Sequence, residues 1–188
     1  MRRRALLGLA LASPAAAQRL AAMEIEATAG EPCDRGFRVG DGAGQRKISP
    51  RGRAQSRRIA ERLAELRVSV QFPIFAGPVY RARDTAEAAW GAARVQVTDS
   101  LLADDFSGAR LGRVPAEHRR LFTEPVPPGM NCVLVGHRMP AIMIIGDAVA
   151  GRAFPEGAAL VLELGATGFR LLGIVEPAPV EGGGFQGC

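Results

Sequence analysis

Histidine is scarce in this sequence. Of 188 residues only two, His118 and His137, carry an imidazole, and none precedes position 118. That excludes imidazole nucleophilic or base chemistry from the first half of the chain. Aromatic residues are also few, with one Trp and one Tyr, so no stacking platform for single-stranded nucleic acid is present. Lys47 is the only lysine; the other basic side chains are arginines, which suit bidentate recognition of oxyanions. The three cysteines, Cys33, Cys132 and Cys188, have no zinc-binding spacing. They leave two readings open: a Cys33–Cys132 bridge, or a loop, a buried-strand and a terminal cysteine that stay unlinked. No apolar run approaches the roughly 18 to 20 residues of a membrane-spanning helix. Nothing in the residue pattern calls for a metal or a cofactor.

What is present is a globular composition, 47% hydrophobic and 23% charged, in a length that suits one domain. The first residues have a different character. Arg2, Arg3 and Arg4 precede an apolar stretch, Ala5 to Ala12, and Ala15-Ala16-Ala17 closes an A-x-A pattern. This is the layout of a cleavable secretory signal peptide over residues 1–17, with processing before Gln18 and a periplasmic or secreted destination. The formal charge of +5 then falls to about +2, because three of the 24 basic residues leave with the leader and 21 face 19 acidic ones. A near-neutral mature chain is no general nucleic-acid binder. The domain is expected over 18–176, followed by a Pro- and Gly-rich flexible tail over 177–188.

Periodicity and punctuation give the elements. Met23 to Thr28 reads as a first strand, weakened by Glu24 and Glu26, and Glu31 to Lys47 as a loop. Ser49-Pro50 starts a helix that runs to about Leu66 with Ile59, Leu63 and Leu66 as its apolar stripe. Strands are expected at Gln71 to Ala76, Val95 to Thr98, Cys132 to Val135, Ala159 to Leu164 and Phe169 to Val175. Helices are expected at Arg81 to Trp90, Pro115 to Thr123 and Pro140 to Val149. Alternating strands and helices predict an α/β three-layer sandwich, a mostly parallel sheet with helices on both faces. Ligands in such sheets bind at the carboxyl ends of the strands. That rule singles out the residues after the first strand, Gly77 to Arg83, and Gly136-His137.

Three segments at those places belong together. They are Gln45-Arg46-Lys47-Ile48-Ser49-Pro50-Arg51-Gly52-Arg53-Ala54-Gln55, Gly77-Pro78-Val79-Tyr80-Arg81-Ala82-Arg83-Asp84-Thr85-Ala86, and Val133-Leu134-Val135-Gly136-His137. In this order they resemble the histidine phosphatase superfamily, the phosphoglycerate-mutase-like proteins, over roughly residues 21 to 176. The resemblance implies phosphomonoester chemistry. A histidine in an Arg-His motif on the first strand attacks phosphorus. Two further arginines and a second histidine hold the phosphoryl oxygens, and a carboxylic acid protonates the leaving group. Carried onto this chain, it makes Arg46 and Arg81 the phosphate-binding arginines and His137 the second histidine. The acid is Asp104 or Asp105. The implied ligand is a small phosphorylated or anionic molecule.

The chain departs from that pattern where the nucleophile belongs. Ile25 and Glu26 stand in place of the arginine and the histidine. His137 is already assigned, and His118 is expected in a peripheral helix, so no shift of register supplies the missing imidazole. A carboxylate about 4 Å from a phosphate charge costs about 1 kcal/mol in water and about 4 kcal/mol at an effective dielectric of 20. The expected function is therefore a histidine-phosphatase-family protein with lost or reduced phosphatase activity. The alternatives are an active phosphatase with an unusual nucleophile, Glu26 or a water activated by His137, and a periplasmic binding or regulatory module on the same fold.

Overall fold

A computed structural model describes residues 18–21, 38–42, 44–150 and 154–180. Its elements in chain order are β1 (Gln18–Ala21), α1 (Pro50–Glu65), β2 (Val70–Ala76), α2 (Tyr80–Trp90), β3 (Val95–Val97), α3 (Val114–Thr123), β4 (Asn131–Val135), α4 (Arg138–Ile145), β5 (Ala159–Gly165) and β6 (Gly168–Val175). Short 3-10 turns fill much of the span between Asp99 and Arg113.

Among the described residues the strands form one sheet in the order β3-β2-β4-β1-β5-β6. The β2–β3, β2–β4 and β1–β4 pairs are parallel, whereas β5 runs antiparallel to β1 and β6 antiparallel to β5. Helices cover both faces. Ile59 and Leu63 of α1 and Ala82 and Ala86 of α2 pack with Val133 and Val135 of β4 on one face. Leu121 and Phe122 of α3 and Ala141 of α4 pack with Cys132 and Leu134 on the other. Alternate β4 side chains thus enter opposite layers, and the strand is an unbroken apolar run because both its faces are buried. The expected three-layer α/β sandwich is the observed fold.

Local chemistry sets the boundaries. Ser49 caps α1, its hydroxyl accepting the Gly52 N–H at 2.9 Å, and Pro50 occupies the first turn. Helix α4 begins at Arg138 and ends at Ile145, short of the expected Val149. Gly146 adopts a φ of 84° that stops the helix, and Asp147–Val149 continues as a 3-10 turn.

The structure adds a strand that the pattern did not reveal: β1, Gln18–Ala21, lies in the middle of the sheet between β4 and β5. Met23 to Thr28, expected as the first strand, lies outside the described residues. Residues 1–17 of the expected leader also lie outside the described residues, as do Cys33 and Cys188; Cys132 is buried on β4. The segment after Pro177, expected as a flexible tail, begins with a docked residue. Ala178 is buried against α1, and its carbonyl accepts a hydrogen bond from Gln55 Nε2 at 3.0 Å.

Candidate functional site

The parallel strands β1, β2 and β4 all end on one edge of the sheet, and the residues that follow β2 and β4 are held close together. The Gly77 N–H donates to the Val135 carbonyl at 2.9 Å. A Cβ on Gly77 would lie 2.5 Å from the Leu101 carbonyl oxygen, so only glycine lets the 3-10 turn around Leu101 cross here. On Gly136, a Cβ would come within 3.9 Å of His118 Nε2.

His137 is the N-cap residue of α4 and is 3% exposed; Arg81 lies in the first turn of α2 and is 7% exposed. Both meet Phe106. The Arg81 guanidinium carbon is 5.7 Å from the centre of the Phe106 ring, and the His137 ring meets the same ring edge-on with centres 6.4 Å apart. Arg46 is 9% exposed, on the loop before α1. Gln45 beside it ties that loop to α2. Its side-chain carbonyl accepts the Tyr80 N–H at 2.9 Å, and its amide donates to the Asp41 carbonyl at 2.7 Å and the Arg38 carbonyl at 3.2 Å. Arg53 of α1 bonds Asp84 of α2 at 3.1 Å, joining α1 to the helix that carries Arg81.

The structure separates the two candidate acids. Asp104 is half-buried, and burial followed by the neighbouring Asp105 carboxylate raises its pKa, with His137 acting in the opposite direction. Asp105 points outward and is exposed. The turn that carries them is fixed from behind by Ser107, which is buried and donates its hydroxyl to the Asp104 carbonyl at 2.6 Å. Ile25 and Glu26 lie outside the described residues.

His118 is not peripheral. It is 3% exposed within α3, edge-on to Phe122 at 6.3 Å between ring centres. Its Nδ1 lies 2.9 Å from the Val114 carbonyl, which can only accept, so the ring proton sits on Nδ1 and Nε2 carries a lone pair. That Nε2 is buried without a hydrogen-bond partner among the described residues and lies against Gly136. A helical stripe was the signal for this burial, since Val114, His118, Leu121 and Phe122 share one buried face.

Burial, opposed by the Val114 bond and aided by His137, lowers the His118 pKa to about 4. An unfolded chain protonates this residue near 6.5, so between those values the unfolded state binds the additional proton. His118 therefore destabilises the fold progressively as pH drops from about 6.5 to about 4, by about 3 kcal/mol in full. Urea unfolding of wild type and a His118→Phe variant is expected to show this as a stability difference that changes across that window and is constant above it. A difference independent of pH would contradict the assignment.

Among the described residues no cluster of three or more His, Cys, Asp or Glu side chains is placed to hold a metal ion, and no helix is long and apolar enough to cross a membrane.

Comparisons with known proteins give consistent results. The sequence profile of the histidine phosphatase superfamily (branch 1) matches residues 38–125. Among solved structures, the chain is similar to the protein histidine phosphatase SixA complexed with tungstate, with a TM-score of 0.58 at 15% identity over 85% of this chain and 97% of that one. It is similar to a mycobacterial glucosyl-3-phosphoglycerate phosphatase, with a TM-score of 0.54 at 19% identity over 84% and 98%. A mycobacterial hydrolase gives a TM-score of 0.54 at 20% identity over 88% of this chain and the whole of that one. No curated protein sequence matches.

Proposed function

From its match to the histidine phosphatase superfamily over residues 38–125 and its fold, we propose that this chain is a member that retains a phosphoryl-binding cradle and has lost the covalent step that cradle ordinarily serves. The observation that carries the reading is the position of its two histidines. His118 is locked in α3 by Val114, and His137 caps α4. No other imidazole exists for β1 or the residues that follow it. In the sequence Glu24 and Glu26 follow β1, and both are carboxylates.

In this reading Arg46 and Arg81 take phosphoryl oxygens through paired N–H groups, and their burial makes each contact stronger than it would be in water. His137 donates a further hydrogen bond from the end of β4. Asp104, with its raised pKa, holds its proton closer to neutral pH than an exposed carboxyl does, which is the property a leaving-group acid needs. Tungstate, an oxyanion of phosphate shape, is the ligand of the related SixA structure and the probe for this chain. The test pairs binding with turnover. Tungstate binding without phosphatase activity supports the proposal, and turnover that depends on Glu24 or Glu26 overturns it.

The same proposal places the mature protein in the periplasm or outside the cell. Support comes from the arginine-led apolar leader and its A-x-A pattern before Gln18. Protein recovered from a bacterial envelope fraction is expected to have a mass beginning at Gln18. A chain found only in the cytosol with residues 1–17 attached would sink this part.

A further inference from the structure

Phe106 lies where no oxyanion chemistry requires an aromatic ring. It ends a 3-10 turn, Asp104–Phe106, that hangs from Leu101, Leu102 and Ala103, all 2% exposed or less. The buried Ser107 hydroxyl holds the turn from the other side. The ring is therefore a fixed wall. Its face meets Arg81 at 5.7 Å and its centre lies 6.4 Å from that of His137. A group held by both residues has this ring as its neighbour, and whatever that group carries must leave the cradle beside it.

A phenyl ring offers no hydrogen bond. A glycerol ester, with a hydroxyl on each free carbon, would bring hydroxyls against it that lose their water without replacement. An aromatic group would gain apolar contact and ring–ring geometry instead. We propose that Phe106 is a specificity-determining residue and that the ligands of this site are monoesters or phosphonates bearing an aromatic group, in preference to polyol phosphates. The inference rests on the reading of Arg81 and His137 as the phosphoryl cradle.

Calorimetric titration of the mature protein with tungstate, methylphosphonate, phenylphosphonate and glycerol 1-phosphate tests it without requiring turnover. Phenylphosphonate is expected to bind about tenfold more tightly than methylphosphonate, and glycerol 1-phosphate no better than methylphosphonate. Phe106→Ala should bring the phenyl-to-methyl ratio close to one and change tungstate affinity by no more than about fivefold, the scale of a lost cation–π contact. Phe106→Leu, which keeps an apolar side chain of similar reach, should give an intermediate ratio and guards against a folding defect in the alanine variant. A ratio near one in the wild type, or one unchanged in both variants, overturns the Phe106 assignment while leaving the cradle standing. Failure of all four anions to bind overturns the cradle reading, and the assignment of Phe106 with it.

Discussion

Mature protein incubated with p-nitrophenyl phosphate is expected to release nitrophenol no faster than its His137→Ala variant does. In the proposed reading the covalent route needs an imidazole nucleophile early in the chain, and the sequence has none before position 118. His118 cannot move into that role without leaving a position in α3 where it is 3% exposed and hydrogen-bonded to Val114. Removing the nucleophile from a hydrolase whose groups act as a unit costs on the order of 10^4 to 10^6 in rate, and what remains is the contribution of binding and electrostatics. A carboxylate is a chemically competent acceptor in other phosphoryl-transfer enzymes, so the assay must include Glu24→Ala and Glu26→Ala. Turnover above the His137→Ala level that either substitution abolishes would show that a carboxylate has taken over the chemistry.

Replacing Arg81 by alanine is expected to weaken tungstate binding about 30-fold or more while leaving the fold intact. Arg81 is 7% exposed, and hydrogen bonds to a charged group are worth about 1.5 to 3 kcal/mol each, more where two run in parallel. Its backbone role survives the change. The Thr85 hydroxyl donates to the Arg81 carbonyl at 2.7 Å, a bond that any residue at position 81 accepts, and alanine favours the helix. Arg53→Ala serves as the contrast. It removes an exposed partner of Asp84 on the same helix pair, and its effect on tungstate should be a few-fold at most. Equal losses in the two variants would mean that tungstate senses the general basic surface and not a built cradle.

Most of the architecture was legible because it depends on local, periodic signals. Ser49-Pro50, the stripe of Ile59 and Leu63, the apolar run ending at Gly136, and the two late strands each point to one element, and each forms where expected, whereas Leu66, read as part of that stripe, is the exposed C-cap. The strand at Gln18-Arg19-Leu20-Ala21 was not legible because it has no alternation of its own. Its place between β4 and β5 is set by long-range pairing, which no local pattern reveals. The 3-10 turns between Asp99 and Arg113 have no periodicity to read. Yet one of them separates Asp104 from Asp105 and sets Phe106 beside Arg81 and His137. At the site, Arg81 and His137 were readable from motif and position, and both are buried at the carboxyl edge. The burial of His118 was readable in principle from its spacing to Val114, Leu121 and Phe122. Its closeness to Gly136 was not, because that depends on how α3 packs across β4.

Phosphorus NMR of the mature protein with phenyl phosphate tests the central claim most directly, because one spectrum reports binding and hydrolysis together. The account predicts a monoester resonance that shifts or broadens with protein, returns to its free position in Arg81→Ala, and yields no growing inorganic phosphate signal. A rising inorganic phosphate signal that His137→Ala stops, or the resonance of a phosphorylated side chain, would contradict it.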